Sequence, residues 1–261
     1  FCLSRGLGDV YKRQQYDLVV LGGGTAGYVA AIRASQLGKK VAIVEKSLLG
    51  GTCLHKGCIP TKSLLKSAEI HHTIKNASTF GIDVSNFKVN FENILKRKND
   101  IVNQMHTGVN QLMQHHHIDI YNGTGRILGT SIFSPQSGTI SVEYEDGESD
   151  LIPNQFVLIA TGSTPKSLPF IEFDHERILS SDDILSIESL PEHLAIIGGG
   201  VIGSEFASLM NDLGTSVTVI EANDRILPTE STQIASSLKK ELSHRGVTFY
   251  ENIQLDENSI K

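Results

Sequence analysis

Residues 18–46 read LVVLGGGTAGYVAAIRASQLGKKVAIVEK, and residues 194–222 read LAIIGGGVIGSEFASLMNDLGTSVTVIEA. Gly22, Gly24, Gly27, Gly38 and Glu45 match Gly198, Gly200, Gly203, Gly214 and Glu221, all at one offset. Each copy runs from a short apolar stretch through a glycine turn into a helix-length segment. A second apolar stretch follows and ends on an acidic residue. A repeat of this length means two βαβ units, not a short-period solenoid. The pattern predicts an α/β protein with two Rossmann-like, dinucleotide-binding domains.

The three glycines of each turn have separate physical tasks. Gly22 permits the tight turn after the strand. Gly24 lacks a side chain, so a pyrophosphate can approach the backbone. Gly27 lets the helix pack closely on the strand, and the helix N-terminus then offers its unpaired N–H groups to phosphate. Glu45 ends the second strand, where a carboxylate can accept hydrogen bonds from a ribose. One such motif is a weak signal; two copies with strand, helix and acidic terminus in register are a strong one.

The rest of the 261-residue chain fits a globular α/β protein. The formal net charge of −6 and the lack of a clustered Lys/Arg stripe argue against a nucleic-acid surface. No apolar run approaches the roughly 20 residues of a membrane span. Three cysteines are too few for a disulfide-stapled scaffold, and a cytoplasmic location is expected. The opening FCLSRGLGDVYKRQ has no initiating Met and no signal-peptide core. Residues 1–15, with Cys2, are expected to be a non-native leader without a role. The closing ENIQLDENSIK carries no terminating element.

Between the repeats, a helix is expected from near Pro60 to about Asn76 and another from about Phe91 to His116. The second should bury Ile94, Ile101, Met105, Val109 and Leu112. Thr139–Tyr144 and Ser149–Ile152 flank Asp146-Gly147 as a hairpin, and Phe156–Ala160 is a strand leading into Thr161-Gly162-Ser163. The second βαβ unit begins at about His193. Lys96-Arg97-Lys98 reads as a solvated helix face. His115-His116-His117 and His71-His72 read as solvated helix positions, without metal-ligand spacing.

The segment GGTCLHKGCIPTK follows the first unit and holds Cys53 and Cys58. The residues alone leave three readings: unrelated thiols, half of a metal site, or a redox disulfide. Zinc would need further ligands. Placement just after a dinucleotide-binding unit favours redox chemistry.

This segment resembles the active-site stretch of the pyridine nucleotide–disulfide oxidoreductases. The order of glycine turn, cysteine pair, ATGS segment and second glycine turn is similar to theirs, across Tyr16–Lys261. Leu54 and Ile59 look more like the members that oxidise dihydrolipoamide than those that reduce glutathione disulfide or mercuric ion. His55-Lys56 resembles forms that serve branched-chain 2-oxo acid complexes. Other readings are a glutathione or mercuric reductase, or a flavin-binding electron-transfer module.

The resemblance implies that Cys53 exchanges with the substrate dithiol and that Cys58 lies nearer the flavin. It makes Lys62 the lysine near the flavin's reactive edge and Glu205 its glutamate partner. It assigns FAD to Gly22, Gly24, Gly27, Glu45, Lys46, Gly51, Thr52, Lys62, Gly125, Thr161, Gly162 and Ser163. It assigns NAD to Gly198, Gly200, Val201, Ile202, Gly203 and Glu221. Residues 16–168 would form the FAD-binding domain and 169–261 an incomplete NAD-binding domain. Family members continue into a carboxy-terminal dimerisation domain that supplies a catalytic His–Glu pair across a homodimer. The resemblance therefore implies a truncated second domain, no dimerisation domain, and a chain inactive by itself. The implied partner is the lipoyl domain of a 2-oxo acid dehydrogenase complex acyltransferase.

Overall fold

The computed structural model describes residues 15–129 and 138–256. Cys2 and most of the expected leader lie outside them. The described residues fall into two packed units, interleaved along the chain. One takes the residues up to His55 together with Val102–Thr164; the other takes Lys56–Ile101 and Pro165 onward.

The first unit is built on β1 (Tyr16–Leu21), α1 (Thr25–Gln36) and β2 (Val41–Glu45), the first repeat read from the sequence. After α2 (Gly51–His55) and α3 (Cys58–Lys75), the long α4 (Phe91–His115) leads to β3 (Asp119–Asn122) and β4 (Thr124–Ile127). Then come β5 (Ile140–Glu143), β6 (Ser149–Ile152) and β7 (Asn154–Ile159). β3, β2, β1 and β7 form a parallel sheet in that order, with Leu18 opposite Val41 and Phe156. β4, β5 and β6 form a separate antiparallel sheet.

Strand alternation decides what each face of the parallel sheet covers. Val19, Leu21, Ala42 and Val44 pack against Ile140, Val142 and Ile152 of the antiparallel sheet. Val20 faces the other way, toward Gly27 of α1. With both faces used, β1 and β2 read as continuous apolar runs, as buried parallel strands do. Gly125 on β4 sits where a Cβ would meet Leu21 Cδ2 at 2.6 Å, so this glycine lets the two sheets close. The Tyr16 hydroxyl donates to Asp119 Oδ2 at 2.6 Å, joining β1 to β3.

The second unit repeats the plan with β8 (His193–Ile197), α5 (Val201–Asp212), β9 (Ser216–Ile220), α6 (Thr232–His244) and β10 (Thr248–Tyr250). Its sheet is parallel, in the order β10-β9-β8. Phe206, Leu209 and Met210 of α5 pack with Val217 and Val219 of β9 and with Leu64 and Ala68 of α3. The cysteine-bearing helix α3 is thus part of the second core.

Two sequence expectations need correction. Met105 and Leu112 of α4 are 47% and 44% exposed, whereas Val109 and Met113 are buried. The inward stripe steps from 109 to 113, one helical turn on, which leaves position 112 rotated outward. The Lys96-Arg97-Lys98 run is not a solvated face. Only Lys96 behaves so, pairing with Asp100 on the surface. Arg97 donates to the carbonyl and hydroxyl oxygens of Ser63, and buried Lys98 donates to the Leu185 carbonyl at 2.6 Å. Burial pushes the Lys98 ammonium's pKa down. Both long side chains carry their charge to a backbone acceptor along an apolar stem.

Candidate dinucleotide-binding turns and redox segment

In the first unit β1 ends in a closely packed glycine turn. Gly22 has φ +100, and a Cβ there would lie 2.2 Å from the Ala160 carbonyl oxygen and 3.2 Å from Thr161 Cα. Gly27 is held still closer, since its Cβ would meet the Gly22 carbonyl oxygen at 1.8 Å. These two glycines are dictated by the protein's own packing. Gly24 differs: the nearest atom to a Cβ there is Gly51 Cα, at an ordinary 3.6 Å. Gly24 is also the N-cap of α1 and offers no side-chain hydrogen bond. By contrast, α6 is capped by Ser231, whose hydroxyl accepts from the Ile234 N–H.

The acidic end of β2 is tied into this turn. Glu45 Oε2 accepts the Gly23 N–H at 2.7 Å, and Oε1 accepts from the N–H and hydroxyl of Ser47. Leu49 presses its side chain on Gly23, and Gly51 lies backbone to backbone against Gly24. Thr161 borders Gly22, and Gly162 and Ser163 continue exposed beyond it. Lys46 and Thr52 are also exposed.

The second unit reproduces this arrangement. Gly199 N–H donates to Glu221 Oε2 at 2.7 Å, and Glu221 Oε1 accepts from the Asn223 N–H and side-chain amide. Glu221 is 6% exposed. Burial alone would raise its carboxyl pKa, but the hydrogen bonds from Asn223 and Gly199 outweigh it and hold the group below the usual carboxylate range. A Cβ on Gly203 would strike the Gly198 carbonyl oxygen at 2.1 Å, whereas one on Gly200 would meet nothing within 4 Å among the described residues. Gly200 caps α5 without a side-chain bond, and Val201 and Ile202 stand exposed in its first turn.

Both turns fit a dinucleotide. Each couples an uncapped helix N-terminus, a glycine with room beside its backbone, and a carboxylate at the end of the neighbouring strand. Sequence reasoning missed Ser47 and Asn223, although the repeat signals them: each is polar and stands two residues after its glutamate.

Cys53 lies half-buried on α2 and Cys58 exposed at the start of α3. Between them, Lys56 pairs with Asp182 at 2.9 Å. One turn into α3, Lys62 Nζ donates to Glu205 Oε1 at 3.0 Å, so the two residues matched from distant parts of the sequence meet. His71 and His72 are not simply solvated, since both contact Asp212, through its carbonyl and its carboxylate. His115 and His117 are exposed. Among the described residues no three His, Cys, Asp or Glu side chains gather as a metal site. No helix of the described residues is long and apolar enough to cross a membrane.

Comparison with known proteins agrees with this geometry. A family profile described as pyridine nucleotide-disulphide oxidoreductase matches residues 16–259. A dihydrolipoyl dehydrogenase of Bacillus subtilis is 54% identical over 237 residues, which cover 90% of this chain and 50% of that protein. A leghemoglobin reductase of Glycine max is 36% identical, covering 95% of this chain and 46% of its own length. Among solved structures, LpdA from Mycobacterium tuberculosis superimposes with a TM-score of 0.81 at 27% identity, over 90% of this chain and 51% of that one. The HOCl-induced flavoprotein disulfide reductase RclA from Escherichia coli, in its Cu(II) complex, gives 0.78 at 29% identity over 93% and 50%. The chain spans about half the length of the curated relatives it matches. With the profile running through both nucleotide turns and the cysteine segment, the chain belongs to the pyridine nucleotide-disulphide oxidoreductase family.

Proposed function

We propose that the protein oxidises protein-bound dihydrolipoamide to lipoamide with NAD+ as acceptor, as the E3 component of a 2-oxo acid dehydrogenase complex. The observation that carries this reading is the Cys53–Cys58 pair, in the segment directly after a complete dinucleotide turn. The 54% identity to a dihydrolipoyl dehydrogenase supports the choice of substrate.

In this reading residues 16–168 serve FAD and residues 169–261 serve NAD. The turn at Gly22–Gly27 would take the FAD pyrophosphate on the α1 N-terminus, with Glu45 facing the ribose. The turn at Gly198–Gly203, with Glu221, would take NAD. FAD, held there, would supply two-electron redox chemistry between the cysteine pair and NAD+.

The chain's residues perform the exchange. A substrate thiolate attacks the Cys53 sulfur of a Cys53–Cys58 disulfide, forming a mixed disulfide and releasing Cys58 as thiolate. The second substrate thiol then attacks its own bound sulfur, which frees Cys53 and leaves the lipoyl group as a disulfide. Two electrons and two protons have left the substrate. Lys62, held by Glu205, contributes a fixed cation to the redox segment. The partner in this role is a lipoyl domain of the complex's acyltransferase, and the working enzyme is a homodimer in the cytoplasm.

The test is NAD+ reduction by the full-length protein with dihydrolipoamide, beside NADPH oxidation with glutathione disulfide or mercuric ion. Dihydrolipoamide turnover that disappears in Cys53→Ser and in Cys58→Ser is expected. Turnover only with the other substrates would overturn the reading.

A further inference from the structure

Two histidines outside the redox segment's expected chemistry converge on one backbone oxygen. His55 Nε2 lies 2.8 Å and His106 Nδ1 2.9 Å from the Leu49 carbonyl oxygen. Their rings meet edge to face with centroids 5.3 Å apart. His55 ends α2 and His106 lies on α4, so two elements reach the same atom. A carbonyl only accepts, so both nitrogens must carry the proton that is donated. In the neutral ring this leaves His106 Nε2 as an acceptor, and Asn110 Nδ2 stands 3.0 Å from it. The tautomers are mutually consistent.

The carbonyl held in this way opens a turn of two consecutive glycines. Gly50 and Gly51 follow with φ +118 and +63, successive left-handed positions that glycine adopts at high entropic cost on folding. The same stretch builds the wall of the dinucleotide turn. The Leu49 side chain covers Gly23, Gly50 N–H donates to the Gly23 carbonyl at 2.8 Å, and Gly51 lies against Gly24.

We propose that His55 and His106 are paired positioning residues for FAD: together they clamp the Leu49 carbonyl and so fix Gly51 and Thr52 against the glycine turn. The inference rests on the flavin reading above. Neither imidazole needs to touch the cofactor. Their effect passes through a two-glycine turn that has no side chains of its own to hold it.

The test uses the full chain loaded with FAD. His55→Leu, His106→Leu and the double variant remove the donors. His55→Gln and His106→Asn restore them, because the amide nitrogens stand near the positions of Nε2 and Nδ1. FAD affinity and the visible flavin spectrum are measured, together with urea unfolding of the FAD-free protein. Each leucine variant should weaken FAD binding by about 2- to 10-fold, as loss of one hydrogen bond does. The double variant should lose more than the product of the two, because Leu49 then loses both donors. The amide variants should recover most of the affinity and the wild-type spectrum. Unchanged affinity in the double variant would overturn the clamp alone. So would amide variants as weak as the leucines, or FAD-free stability that falls in step with affinity. Wild-type protein that takes up no FAD would overturn the flavin reading and this inference with it.

Discussion

Replacing Gly24 and Gly27 one at a time should separate a glycine that serves a ligand from one that serves the fold. At Gly27 an added Cβ would lie 1.8 Å from the Gly22 carbonyl oxygen and 3.2 Å from Val20 Cγ1. The first distance is about half the roughly 3.5 Å at which such atoms attract. The obstacle is backbone, so relief requires lifting α1 away from β1. Alanine's better helix propensity returns only about 1 kcal/mol. Gly27→Ala should therefore lower stability by about 3 kcal/mol, the upper end for overpacking a core. At Gly24 the only neighbour within 4 Å among the described residues is at 3.6 Å, and φ −73 with ψ −174 is open to alanine. Losing a glycine N-cap there should cost less than about 1 kcal/mol. The new methyl would stand where a pyrophosphate reaches the backbone. A clash of about 3 kcal/mol in the complex corresponds to roughly 100-fold in FAD affinity. Urea unfolding without added FAD and a flavin-fluorescence titration measure the two quantities on each variant. A Gly24→Ala protein that binds FAD as tightly as wild type would refute the reasoning. So would one that unfolds as early as Gly27→Ala.

Four further outcomes are expected. Glu221→Gln should relax discrimination against NADP, since a 2′-phosphate would no longer meet a carboxylate; equal selectivity in wild type and variant would count against the NAD assignment. Because Glu221 is held below its ordinary value of 4.5, its stabilisation is complete above that pH and is lost as pH falls through its lower folded value. The stability gap between wild type and Glu221→Gln should accordingly close on acidification, as read by urea midpoints. Cys53→Ser should keep a long-wavelength thiolate–flavin absorption that Cys58→Ser loses, and identical spectra would reverse or void the assignment of the two thiols. Met113→Ala should cost about 3 kcal/mol as a buried deletion, whereas Met105→Ala on the exposed side should stay within about 0.5 kcal/mol, both measured by thermal unfolding.

The βαβ units were legible because a glycine turn between two apolar runs has few other uses. The helix at Phe91–His115 was legible from its periodicity, the one at Cys58–Lys75 from a proline placed where a first helical turn tolerates it, and the hairpin from its Asp146-Gly147 turn. What escaped had no periodic signal. Helix α2 is five residues long, starts with a left-handed glycine and contains Cys53. Strands β3 and β4 are four residues each, on either side of Gly123, and look like one loop in sequence. The hydrogen bonds of Arg97 and Lys98 depend on Ser63 and Leu185, far away in the chain. A charge run gives no local sign that one member will find a buried carbonyl. Lys62 and Glu205 were paired only through the family resemblance, since 143 residues separate them.

The repeat is deeper in structure than the matched glycines suggest. In both units the middle glycine donates to the strand-end glutamate at 2.7 Å, and a branched side chain, Leu49 or Ile226, closes over that glycine. A polar residue two positions after the glutamate completes the carboxylate's shell in each. The glutamate is therefore first a brace that fixes the turn's curvature, and only then a candidate contact for a ribose. The units differ at the first glycine. A Cβ on Gly22 would strike the Ala160 carbonyl that follows β7, while Gly198 has no neighbour within 4 Å among the described residues. Gly22 is thus fixed by both conformation and enclosure, while among the described residues Gly198 is fixed by its φ of +102. An alanine at Gly198 would meet backbone strain without a clash, typically about 1–2 kcal/mol for a left-handed residue. At Gly22 the same change adds a collision with the carbonyl of Ala160, a residue anchored in the sheet by its N–H, which donates to the Leu21 carbonyl at 2.8 Å. Among the described residues, the first unit's turn is the more enclosed because β7 lies beside β1 in its sheet.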